Sequence, residues 1–139
     1  MQAIKMKNTV YTELTEAISN HTRQLDRRYD YQIKNLLNEE FMHEVGDAGG
    51  QLTGYLINGQ LQKAEAIFYR KDGQTKRTFY YMENMLVQVK EIELSYNYHI
   101  NEAEFQKDTS IEAFSGVFFF QYGKLIDEKR KVFLIITQQ

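Results

Sequence analysis

The chain has 139 residues, 42% of them hydrophobic and 26% charged, with 17 Lys+Arg against 19 Asp+Glu and a net charge of -2; that is one globular domain's worth of ordinary composition. It has no Pro, Cys or Trp, but 10 Tyr and 9 Phe, which excludes a disulfide scaffold, a thiol nucleophile and a thiolate metal site. The near-neutral balance gives no broad electrostatic footprint for nucleic acid, and no apolar run approaches the ~20 residues of a spanning helix.

Lys5 and Lys7 precede polar Asn8 and Thr9, so no signal-peptide core follows them. Cytoplasmic residence, or an exported or periplasmic protein whose leader is absent from this chain, both fit. From Met6 to about residue 38 there is no Gly or Pro. Val10, Leu14, Ala17, Ile18, His21, Leu25, Tyr29, Ile33, Leu36 and Leu37 recur in steps of three and four, which predicts one helical face. Ser19-Asn20-His21-Thr22 are four poor helix formers, so that stretch and Arg27–Asp30 are the two expected break points. Gly46, Gly49 and Gly50 then mark a loop.

From about residue 50 to 136 the period changes to two, as in an antiparallel sheet with one wet side. Ile92, Leu94, Tyr96, Tyr98 and Ile100 alternate with Glu93, Ser95, Asn97 and His99, while Val87 and Val89 sit in the opposite phase. That slip predicts a bulge at Lys90–Glu91. Asp72-Gly73 predicts a tight hairpin. Three segments share a further pattern: Tyr55-Leu-Ile-Asn58-Gly59-Gln-Leu61, Tyr80-Tyr-Met-Glu83-Asn84-Met-Leu86 and Phe119-Phe-Gln-Tyr122-Gly123-Lys-Leu125. Each places Gly59, Asn84 or Gly123 where a type I′ turn demands positive φ. Unequal spacing predicts an insertion near residues 101–114, in which Asp108–Ser110 would cap a short helix.

These turn segments, with Gly49-Gly-Gln-Leu-Thr-Gly-Tyr55 and Leu94-Ser-Tyr-Asn-Tyr98, give the sequence its likeness. It resembles a group of small, uncharacterised bacterial proteins, often exported, built from tandem Tyr-Phe-x-x-Gly-x-Leu hairpins behind a helix. The resemblance covers residues 49–126 and departs from the pattern at Asn84, where the group has Gly. It implies fold and export and carries no catalytic residue.

Glu40-Phe-Met-His43, with Asp47 nearby, has the Glu-x-x-His step of carboxylate-bridged metal sites, but no second copy exists. Ser95 and His99 lie about 13 Å apart along one strand, too far for a nucleophile and its base. Arg70-Lys-Asp-Gly-Gln-Thr-Lys-Arg77 is a basic tip beside Tyr69, Phe79 and Tyr80, which reads as a solubilising turn that guards strand ends. Adjacent aromatics, as at Tyr80–Tyr81 and Phe118–Phe120, must put rings on both faces of the sheet.

The sequence therefore predicts a single α+β domain over residues 1–139. An N-terminal helix over about 6–38, long or broken once, packs on an antiparallel β-meander of five or six strands. The expected role is a non-enzymatic binding or interaction module presenting an aromatic sheet surface of Tyr55, Tyr69, Tyr80, Tyr81, Tyr96 and Tyr98. It needs no cofactor or metal, and meets a protein partner or a second copy as a homodimer. It engages no nucleic acid and carries no integral membrane segment. The alternative is a small metal-dependent or hydrolytic enzyme centred on Glu40, His43 and Asp47.

Overall fold

A computed structural model describes the backbone of residues 2–37, 49–99 and 104–132, and the side chains of residues 11–36, 49–96 and 111–132. Helix α1 spans Gln2–Arg27, ~39 Å at the standard rise. Leu14, Thr15, Ile18, Thr22 and Leu25 form its inner stripe; Ile18 is 1% and Leu25 3% exposed. The stretch Ser19–Thr22 stays helical because tertiary contacts outweigh its weak propensity. The Thr22 hydroxyl donates to the Ser19 carbonyl at 3.1 Å, and His21 Nε2 donates to the Tyr81 carbonyl on the sheet at 2.9 Å.

The helix ends at Arg27, the second expected break point. Arg28 N–H and the Tyr31 hydroxyl both donate to the Leu25 carbonyl, so the chain turns without a glycine cap. Strand β1, Gln32–Leu37, follows. These six residues were expected to be helical, and all six pair with β2 instead. The three-and-four spacing of Tyr29 and Ile33 misleads here, because they are 96% and 61% exposed and belong to no buried face.

The remaining strands are β2 (Gly50–Ile57), β3 (Gln60–Arg70), β4 (Gly73–Met82), β5 (Met85–His99), β6 (Glu104–Gln121) and β7 (Lys124–Val132). They form one seven-stranded antiparallel sheet in sequential order. The expected count of five or six fell short by β1, which was read as helix. Residues 104–114, expected to hold an insertion with a short helix, are the first part of β6, which runs along β5 with two register shifts. No bulge falls at Lys90–Glu91, where β4 and β5 pair without interruption. The phase slip has another cause: Val89 lies on the face away from the helix, and Ile92 and Leu94 lie on the helix side.

Three hairpins close with two residues in the left-handed region: Asn58 and Gly59 (φ 51° and 76°), Glu83 and Asn84 (50° and 67°), Tyr122 and Gly123 (51° and 78°). Those are the type I′ values that suit the sheet's twist. The β3–β4 turn is centred one residue earlier than expected, on Lys71–Asp72, with Arg70 opposite Gly73. Gly73 is needed for another reason. A Cβ there would sit 2.0 Å from the Leu94 carbonyl oxygen of β5. The core joins Ile18 and Leu25 to Tyr80, Val87 and Phe119, with Leu14, Met82, Val117 and Ile126 packed around them.

Candidate functional site

Strand register assigns every side chain to one of two faces. On the helix side, one row crosses the sheet as Tyr55, Lys63, Tyr80, Gln88, Phe119 and Asp127. The next row is Thr53, Glu65, Thr78, Lys90, Val117 and Lys129. Away from the helix, one row reads Lys34, Gly54, Ala64, Phe79, Val89, Phe118 and Glu128. The adjacent row reads Leu36, Leu52, Ala66, Arg77, Glu91, Gly116 and Arg130.

The six tyrosines expected to share one surface divide between these faces. Tyr55, Tyr69, Tyr80 and Tyr96 fall on the helix side by alternation, and Tyr81 falls on the other. Tyr80 and Tyr96 are 3% and 8% exposed, so they belong to the interior. The Tyr98 side chain lies outside the described residues; its backbone pairs with Phe105.

Where the helix ends, these aromatics build a polar cluster. The Tyr80 hydroxyl reaches both Asp26 carboxylate oxygens at 3.0 Å. Lys63 Nζ lies 3.3 Å and Lys90 Nζ 3.9 Å from the same carboxylate. Lys63 also stands 4.8 Å from the Tyr55 ring centroid and 5.7 Å from that of Tyr31, and the two rings meet edge to face at 5.6 Å. A carboxylate in the last helical turn opposes the helix dipole; the two lysines and the phenol offset that. Burial, reinforced by the Asp26 charge, pushes the Tyr80 phenol well above its ordinary value of 10.0. Burial likewise raises Tyr31, Tyr55 and Tyr81.

The opposite face has no element over it among the described residues. Its centre is closed by its own long side chains. Arg77 bonds Glu91 at 2.7 Å and lies 5.6 Å from the Phe68 ring centroid, and Arg130 lies 5.5 Å from that of Phe118. Phe114 and Phe118 fold over Gly116, where a Cβ would come within 3.0 Å of both rings. Ala66 at 4% and Thr75 at 5% exposure lie under this cover. Toward β1 the cover stops. There Lys34, Leu36, Leu52, Leu56, Leu61 and Ala64, with Gly54 as floor, line an open apolar groove of about 280 Å³.

Sequence reasoning missed these leucines, because β1 had been read as helix. The available signal was the period-two run Leu52, Gly54, Leu56. At the basic tip, Lys76 pairs with Glu65 at 3.4 Å, Arg77 with Glu91 at 2.7 Å and Arg70 with Asp72 at 3.5 Å. Glu40, His43 and Asp47 lie outside the described residues. Among the described residues, no group of three His, Asp or Glu could hold a metal ion, and no helix is long and apolar enough to cross a membrane.

Comparison with protein-family models, with curated protein sequences and with solved structures found no match.

Proposed function

We propose that the protein is a non-enzymatic interaction module that receives an extended segment of a protein partner along β1 and over the leucine groove beside it. The observation that carries this reading is the contrast between the two edges of the sheet. Strand β7 presents Asp127-Glu128-Lys129-Arg130-Lys131 in succession, a run of charge that discourages strand addition. Strand β1 carries one charge, Lys34, in six residues, and pairs with β2 alone among the described strands.

An added strand would satisfy the free backbone groups of β1 and lay alternate side chains toward Leu36, Leu52 and Leu56. The partner chemistry that fits is a short extended segment with apolar residues at every second position. An acidic residue placed to meet Lys34 completes it. The role foreseen for an aromatic surface passes to leucines, because the exposed part of the far face is aliphatic.

Selection of a random peptide-display library on the immobilised protein tests this. Enriched peptides should alternate apolar and polar residues. Their binding should fall at least about tenfold in Leu52→Glu, which buries an unpaired carboxylate under the peptide. It should fall similarly in Asn35→Pro, whose ring replaces an edge N–H. Enriched peptides that bind both variants as well as the native chain would refute the assignment.

A further inference from the structure

The three type I′ turns close the same end of the sheet, and their first turn residues differ in kind. Asn58 is a type that the left-handed region accepts, but Glu83 and Tyr122 stand there as well, at φ 50° and 51°. A bulky side chain at positive φ is strained, and strain of this kind points to a use for the group it holds in place. The Tyr122 residue is 75% exposed, so packing in the core does not account for it.

Glu83 and Tyr122 share one setting. Both line a groove of about 200 Å³ between α1 and the tips of the β4–β5 and β6–β7 hairpins, and Asn58 does not. Leu14 and Ala17 of the helix form one wall; Met82, Met85, Leu86 and Phe120 form the other. None of these six residues is fully buried, so a guest can touch them. A cavity of about 150 Å³ already holds a benzene ring, and methionines adapt readily to a guest's shape. Among the described residues Glu83 is the only charge on the lining. It is exposed and makes no ion pair among the described residues. Apolar walls, a lone carboxylate and an exposed phenol ring are together complementary to a cation on an apolar body.

We propose that this groove binds a small organic ammonium ion, its apolar body between the helix and the hairpin tips and its ammonium group held by the Glu83 carboxylate and the Tyr122 ring. The leucine groove opens on the other face of the sheet, so each site can fail without the other.

The chain has no Trp, so the fluorescence of an added indole reports its binding directly. Titration of the full chain with tryptamine, 3-ethylindole and indole-3-propionate compares a cation, a neutral body and an anion of similar shape. Tryptamine should bind saturably and about tenfold more tightly than 3-ethylindole, with the anion weaker still. Glu83→Gln keeps the shape and removes the charge; it should erase most of that preference while leaving 3-ethylindole binding in place. Tyr122→Asn puts a favoured residue in the turn. It should raise the midpoint of thermal unfolding by about 2–5 °C and weaken tryptamine about fivefold, so stability and binding move in opposite directions. A Tyr122→Asn chain less stable than the native one would show that the ring serves the fold, and would overturn the proposal. So would no saturable binding of tryptamine, equal binding of the three indoles, or tryptamine binding unchanged in both variants. Both substitutions lie at exposed turn positions, so neither result hinges on a failure to fold.

Discussion

Asp26 shows how one residue can fix an element. Its carboxylate, 39% exposed, is shared by the Tyr80 hydroxyl and two lysines from neighbouring strands. The geometry ties the end of α1 to β3, β4 and β5 at once. Tyr80→Phe should cost about 1 kcal/mol near neutral pH, the low end for a hydrogen bond to a charged group because solvent reaches the carboxylate. The sign with pH follows from the raised phenol. A group whose folded pKa lies above its unfolded value contributes stability that is full below the unfolded value near 10 and is lost as pH climbs toward the folded one. Urea unfolding from about pH 8 to pH 11 should therefore show the native chain losing its advantage over Tyr80→Phe above about pH 10. A constant difference across that range would remove the titration argument.

At the scale of elements, the hairpins separate two uses of glycine. Gly123 has φ 78° and open space around it, so Gly123→Ala should cost only the backbone strain, about 1–2 kcal/mol. Gly73 lacks positive φ but faces the Leu94 carbonyl, 2.0 Å from where a Cβ would stand. Gly73→Ala must push β5 away, and should cost more than Gly123→Ala, about 3 kcal/mol or above. Chemical denaturation of the pair checks the order; a reversed order would mean that β5 yields easily at Leu94. Asn84 occupies its turn at φ 67°, and Asn is the residue after Gly that tolerates that conformation best. All three turns were legible because their demand is local. The Asp72-Gly73 turn was misplaced by one residue, because its glycine answers to β5 rather than to the turn.

Across the whole molecule, one helix serves one face of a seven-stranded sheet. Ile18, at 1% exposure, is the centre of that contact, against Tyr80, Val87 and Phe119. Ile18→Ala should cost about 2–4 kcal/mol by lost burial and the cavity left behind. Near-ultraviolet circular dichroism of the tyrosines should flatten before the far-ultraviolet sheet signal is lost as the variant is heated, because the sheet's hydrogen bonds do not run through the helix. Coincident loss would mean that sheet and helix form a single cooperative unit. A helix of this length covers only part of so wide a sheet. The leucines by β1 are open for a different reason: they lie on the other face of the sheet, over which no described element packs.

The amino-acid order alone determined what depends on near neighbours. It gave the helix its stripe from Leu14 to Leu25, the strands their alternation, and the type I′ turns their positive-φ residues, since each of these needs a few consecutive side chains and no partner. Tertiary structure decided whatever depends on residues distant in the chain. Residues 32–37 are a strand because β2 lies beside them, although their spacing suits a helix. Residues 104–114 are a strand because β5 is long enough to pair with them. Tyr80 is interior and Tyr81 is on the opposite face because the helix lies over one of two alternating sets. Gln88 is buried because the helix lies over its face of the sheet, and the leucines by β1 are open because they lie on the other face, over which no described element packs.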